Sequence, residues 1–100
     1  MQIANQSVSF GSLSGSGPQT QTVTVTMPAA VTQATAILNG FIAEYSGGDD
    51  HHLGQLNVQL SVGAINGANV AVSVQLGLRD WSGDWDDGYD GEVFFTVIGQ

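Results

Sequence analysis

The sequence predicts an all-β fold, a six-stranded antiparallel β-sandwich formed as one domain over residues 1–100. Three observations carry this expectation. Apolar residues recur with period 2 along most of the chain, the mark of half-buried strands. An Asn66-Gly67 pair stands between two long alternating runs, a strong short-range hairpin signal. Nowhere does an apolar stripe recur at the 3.6-residue spacing of an amphipathic helix.

The elements follow in chain order. Val8 and Phe10 share one face of a first strand, and the Gly/Ser/Pro-rich stretch 11–18 is a loop. Residues 20–27 alternate strictly, with Val23, Val25 and Met27 inward and threonines outward. Pro28 ends that run, because proline cannot donate to a central ladder. The third strand, 34–45, is more continuously apolar. Ala36, Leu38 and Ile42 are assigned to one face and Ile37, Phe41, Ala43 and Tyr45 to the other. Both faces are therefore expected to be covered, in a central strand or at a subunit interface, and Gly40 predicts a bulge or a close backbone approach. Strands 55–63 and 69–79 alternate on either side of a turn at 64–68. The closing strand, 92–98, is apolar on both faces.

Composition narrows the function. Only 10% of residues are charged, Arg79 is the sole Lys or Arg, and the formal net charge is −8. Phosphate binding depends on clustered Lys and Arg, so nucleic acid is not an expected partner, nor is an anionic membrane surface. No 18-residue apolar run is present to insert in a membrane as a helix. The chain has no cysteine, hence no disulfide and no thiolate metal site. Residues 1–6 carry neither a basic nor an apolar leader segment, so no secretory signal is expected; the composition suits an extracellular or particle-surface setting. A core of this size leaves a narrow stability margin, which oligomerisation would widen.

Charge and aromatic rings concentrate in two loops. The first is Gly47-Gly48-Asp49-Asp50-His51-His52; the second runs from Arg79 to Glu92 and holds Trp81, Trp85 and Tyr89. Loops on a rigid sandwich are where binding sites form. Asp84, Asp86, Asp87, Asp90 and Glu92, interspersed with glycines, supply the hard oxygens that calcium prefers, though without EF-hand spacing; the alternative is a solvated acidic loop. His51-His52 lack a third His, a Cys or a His-x-x-x-His pair, which favours a surface pair over a zinc site. There is no Cys nucleophile, no Gly-x-Ser-x-Gly elbow and no phosphate-binding loop, so catalysis is not expected. Trp81, Trp85 and Tyr89 suit a sugar site, where a ring stacks on a pyranose and carboxylates accept from its hydroxyls. The same residues suit a protein hot spot, or a plug in the open end of the sandwich.

The order of features from Val31 to Ile98 resembles the H-type lectin domain of snail agglutinins and the discoidin C-terminal domain. The resemblance is carried by Ala36-Ile37-Leu38, the polar loop, Leu56-Asn57-Val58, the Gly67-x-x-Val70-x-Val72 hairpin, the tryptophan-bearing loop and the Val93-x-x-x-Val97-Ile98 strand. It implies a sandwich that forms trimers or hexamers and binds galactose or N-acetylgalactosamine between subunits without catalysis. The family's loop aromatic would correspond to Trp81 or Trp85. Two features depart: no arginine stands in Leu56-Asn57-Val58, and Ser82 and Asp86, not His, follow the two tryptophans.

The expectation is thus a non-catalytic, glycan-binding homo-oligomer. Trp81, Trp85 and Tyr89 would pack on the sugar, and Asp84, Asp86 and Asp87 would accept from it directly or through calcium. Asp49, Asp50, His51 and His52 would assist from the neighbouring loop. An attachment module on a larger particle and a calcium-dependent cell-adhesion domain are the alternatives.

Overall fold

A computed structural model of the chain describes residues 1–13, 17–46, 52–85 and 87–100. It contains six strands: β1 (Gln2–Leu13), β2 (Gln19–Thr26), β3 (Ala34–Tyr45), β4 (Leu53–Asn66), β5 (Asn69–Asp80) and β6 (Tyr89–Gly99). All pairings are antiparallel, in two three-stranded sheets of order β1-β6-β3 and β2-β5-β4. The expected six-stranded sandwich is what this chain forms. β1 lies beside β2 and β3 beside β4 at its two seams. The body measures 47 × 19 × 18 Å, so the sandwich is a rod with the strands along it.

The core sits between the two central strands. Val70, Val72, Val74, Leu76 and Leu78 of β5 face Tyr89, Val93, Phe95 and Val97 of β6, and all nine are buried. Each such aliphatic or Phe side chain contributes on the order of 1.5–3 kcal/mol when fully buried. Edge strands add Val8, Phe10 and Val25, while Met27 and Val31 close one end. The outer face of the β2-β5-β4 sheet is polar, where the threonines of β2 stand beside Ser73 and Gln75 of β5; Thr22 Oγ1 lies 3.2 Å from Ser73 Oγ.

Three details differ from the sequence reading. First, β1 runs from Gln2, well before Val8, to Leu13, inside the stretch 11–18 read as a loop, because pairing with β6 holds it in register from Gln2–Gly99 to Leu13–Tyr89. Its inward Ala4 and Gln6 are small or polar, which hides the alternation. Second, β4 and β5 extend to a two-residue turn, Gly67-Ala68, instead of turning over 64–68. Gly67 has φ +63°, the conformation that a glycine opening a tight hairpin supplies without steric cost. Third, β3 is an edge strand, not a central one. The bulge that Gly40 suggested does occur, between Leu38 and Gly40. An extra residue reverses the side-chain parity beyond it. Ala36, Leu38, Phe41, Ala43 and Tyr45 therefore share the core face, and Ile37 and Ile42 share the outer one.

Candidate functional site

Every Asp, Glu and Arg of the chain falls within 44–50 or 79–92. The register brings both segments to one end of the rod, where Tyr45 pairs with Tyr89 and Leu53 with Asp80. The termini lie at the other end, with Gln2 opposite Gly99. The charged side chains of the described residues and the exposed Trp81 are therefore collected at the tip away from the termini.

The loop after β5 is held by local chemistry. Asp80 Oδ1 accepts from the Ser82 backbone N–H at 3.0 Å and from the Ser82 hydroxyl, an Asx-type turn. Gly83 follows at φ +90°, which a residue with a Cβ rarely adopts. The Trp81 N–H donates to the His52 carbonyl at 2.9 Å, and the Ser46 N–H donates to the Gly88 carbonyl at 2.9 Å. Both flanks of the loop are thus tied to the neighbouring strands. Gly54 permits the first tie, because a Cβ there would overlap the Asp80 carbonyl.

Beneath this loop sits a cation–aromatic stack. The Arg79 guanidinium carbon lies 5.9 Å from the centroid of the Trp85 ring, within cation–π range. Arg79 Nη1 donates to the Gly83 carbonyl at 3.2 Å, while Nε is buried without a hydrogen-bond partner among the described residues. The Trp85 ring is 6.5 Å from that of Tyr89, tilted by 56°. The only basic side chain is consequently built into the base of the loop.

The predicted residues separate into groups. Trp81 is 72% exposed and Asp84 stands exposed beside it in the loop. Trp85 is half-buried against the core and does the plug's work. Tyr89 requires a correction: it is 1% exposed, so its ring has no face for a sugar. Tyr89 occupies the first core-facing position of β6, in the same period-2 frame as Val93, Phe95 and Val97. Its hydroxyl is 2.9 Å from the Gly17 carbonyl and 3.2 Å from that of Leu76, donating into that pair. Burial pushes its phenol up from the ordinary tyrosine range, opposed by a backbone hydrogen bond from Gln19. His52 is exposed and contributes its carbonyl to the loop. Asp49, Asp50, His51 and Asp86 lie outside the described residues.

Of the five carboxylates named for calcium, Asp86 lies outside the described residues; among the described residues no three His, Asp or Glu side chains are grouped to hold a metal. Asp90 and Glu92 stand on the outer face of β6 with Glu44 opposite Asp90, bordering a shallow depression with Ser9 and Ile42. Asp84 stands in the loop beyond the strand ends.

Tyr45 is the residue that sequence reasoning missed. It sits on the core face of β3, and burial raises its phenol pKa first, then the carboxylates of Asp80 and Asp87, with Arg79 opposing. Tyr45, Arg79, Asp80 and Asp87 thus form one electrostatic neighbourhood under the loop. The Asp80-x-Ser82-Gly83 spacing was the available signal for the turn, whereas no local signal marks Gly54. Comparison with protein-family models, curated proteins and solved structures returns no match, leaving the chemistry of this end to its own residues.

Proposed function

We propose that the chain is a non-catalytic carbohydrate-binding module for galactose- or N-acetylgalactosamine-type sugars, working as a homo-oligomer. The observation that carries this reading is Trp81. Its ring is 72% exposed, yet its backbone is pinned to His52 and its neighbour Asp80 is locked by Ser82. A loop backbone held in place before the ligand arrives loses less conformational freedom on binding. Asp84, exposed in the same loop, would supply acceptors for sugar hydroxyls. Arg79 is already engaged with Trp85 and Gly83, which argues against a phosphate or nucleic-acid ligand.

A glycan array, run with calcium and with chelator, tests the reading. Selective binding in both conditions is expected, and Trp81→Ala should weaken it by about 2 kcal/mol, near 30-fold, as a central aromatic contact does. Binding only with calcium would give the loop carboxylates a metal-ligand role. Silence in both conditions would sink the carbohydrate reading.

One observation favours a second reading, an attachment module on a larger assembly. Both termini lie at the uncharged end of a 47 Å rod, so a domain anchored there would present Trp81 outward to a protein partner. An array without hits, followed by Trp81-dependent capture of a defined protein receptor, would select it.

A further inference from the structure

The exposed apolar surface is uneven. Of the large apolar side chains that remain substantially exposed, Ile37 (46%), Leu38 (41%), Phe41 (40%) and Ile42 (53%) all belong to β3, and Leu56 (39%) faces them from β4. Ile37 and Ile42 stand on the outer face of the strand, while Leu38 and Phe41 stand on its core face at the seam with β4. Only a partner approaching along the strand edge covers both faces at once. That edge is twelve residues long, lacks Pro and Lys, and among the described residues no strand pairs with it on the side away from β6. Natural proteins ordinarily blunt such an edge. The opposite seam is blunted here: Gln21 of β2 donates across it to the Ser9 carbonyl at 2.8 Å, and Gln2 accepts from the Ala29 N–H at 2.8 Å.

We infer that the β3 edge is the surface on which two copies of this chain associate, antiparallel and about a twofold axis. This deepens the homo-oligomer part of the proposed function and does not depend on the sugar. Charge selects the occupant and its direction. Residues 34–43 and 53–66 contain no charged side chain, whereas Glu44, Asp90 and Glu92 border Ile42 at one end of the strand, so an antiparallel pairing sets that acidic end of each copy against the neutral 34–38 end of the other. Among the described residues the charged side chains sit at one end of each rod. A parallel arrangement would place those acidic ends side by side. The antiparallel one sends them to opposite ends of the pair, with the two Glu44 residues ~34 Å apart along the strand at ~3.4 Å per residue, which is several Debye lengths at physiological salt. A twofold axis at the Asn39 bulge pairs 34–38 of one copy with 40–45 of the other, and the bulge falls where the two halves exchange. The five β3 and β4 side chains expose roughly 400 Å² on a scale of about 200 Å² per large side chain. With the backbone of both strands added, this approaches the ~800 Å² per partner of a stable interface. The assembly carries its two Trp81 loops at opposite ends and is bivalent.

Sedimentation analysis at micromolar concentration tests this on the intact chain. The expected particle has twice the 10.4 kDa chain mass at both low and physiological ionic strength. Ile42→Lys, on an exposed position of β3, should give a folded monomer by circular dichroism. Ile3→Lys, an equally exposed change on β1, should leave the dimer intact. A spin label on Glu44→Cys, in a chain otherwise free of cysteine, should report a separation of about 30 Å or more in the dimer, given ~3.4 Å per residue along the strand. A monomeric wild type, a threefold mass, a short label distance, or dissociation by Ile3→Lys with Ile42→Lys still dimeric would each overturn the inference. A folded Ile42→Lys monomer that still binds one sugar site would separate this surface from the carbohydrate reading.

Discussion

The two ends of the rod are closed by different chemistry. At the uncharged end the closure is backbone: Met27 N–H donates to Ala68 at 2.8 Å, Val31 N–H to Gly67 at 3.0 Å and Thr32 N–H to Gln100 at 2.8 Å. Met27 and Val31 fill the opening beneath those bonds, at 3% and 5% exposure. At the charged end the closure is made largely by side chains: Tyr89 and Tyr45 in the core frame, Trp85 over them, Arg79 against Trp85, Asp80 on Ser82. Main-chain bonds between neutral residues do not titrate and respond little to salt. A cap that contains two phenols titrates, and its carboxylates and guanidinium respond to salt. The difference teaches that this fold needs only backbone and apolar contacts to finish an end, so the side-chain investment at the other end belongs to what that end does.

Glycine substitutions should separate the ends most widely. Gly54→Val drives a side chain into the Asp80–Trp81 backbone, where even a Cβ has no room. We expect a loss of about 3 kcal/mol or more, since β4 must part from the loop it anchors. Gly67→Ala at the neutral end meets open space and is strained only by its positive φ. Its cost should be about 1 kcal/mol. Urea unfolding of the two variants measures both, and equal losses would break the comparison.

Tyrosine chemistry sharpens it. Both tyrosines of the chain lie at the charged end, and burial raises both phenols above their ordinary value. A phenol with a raised folded-state pKa holds its proton more tightly when folded than when unfolded. Its contribution to stability is therefore complete below the unfolded pKa near 10 and is lost as pH rises through the folded value. Tyrosinate absorbance should rise together with loss of the β-sheet signal, as one alkaline transition above about pH 10. Absorbance rising well before unfolding would mean the phenols are accessible. Tyr89→Phe should cost about 1–2 kcal/mol at neutral pH, because the Gly17 and Leu76 carbonyls lose a shared buried donor.

Much of this architecture was legible before any coordinates. Val70 to Leu78 alternate without a break, and so do Leu56 to Val62, because both strands have one apolar and one polar face. β3 misled for a physical reason: side-chain parity is readable only between bulges, and the Asn39 insertion exchanges the faces of everything beyond it. Tyr89 was assigned to the site because it stands in a Gly/Asp-rich stretch that reads as loop. Its frame with Val93 and Phe95 was visible four and six residues further on. Trp81 and Trp85 could not be told apart by sequence, since each is flanked by aspartate and small polar residues. Their roles are divided by Arg79, which stacks on one, and by His52, whose carbonyl fixes the backbone of the other; both relations join residues on different strands or loops.

Arg79→Met supplies the smallest and most local break. It keeps the apolar stem, removes the charge above Trp85 and frees the Gly83 carbonyl, at a cost of about 0.5–1 kcal/mol. The consequence worth measuring is spatial. Backbone amide exchange at Trp81 and Asp84 should accelerate and the Trp85 indole resonance should shift, because these residues depend on the stack beneath the loop. Met27, Val31 and Thr32 should exchange as before, since their donors are held by carbonyls at the far end of a 47 Å rod. A confined response would establish the charged end as a unit that opens on its own, as a ligand-receiving loop must. Equal acceleration at both ends would mean that the sandwich opens only as a whole, and that Arg79 serves the fold instead of the presentation of Trp81.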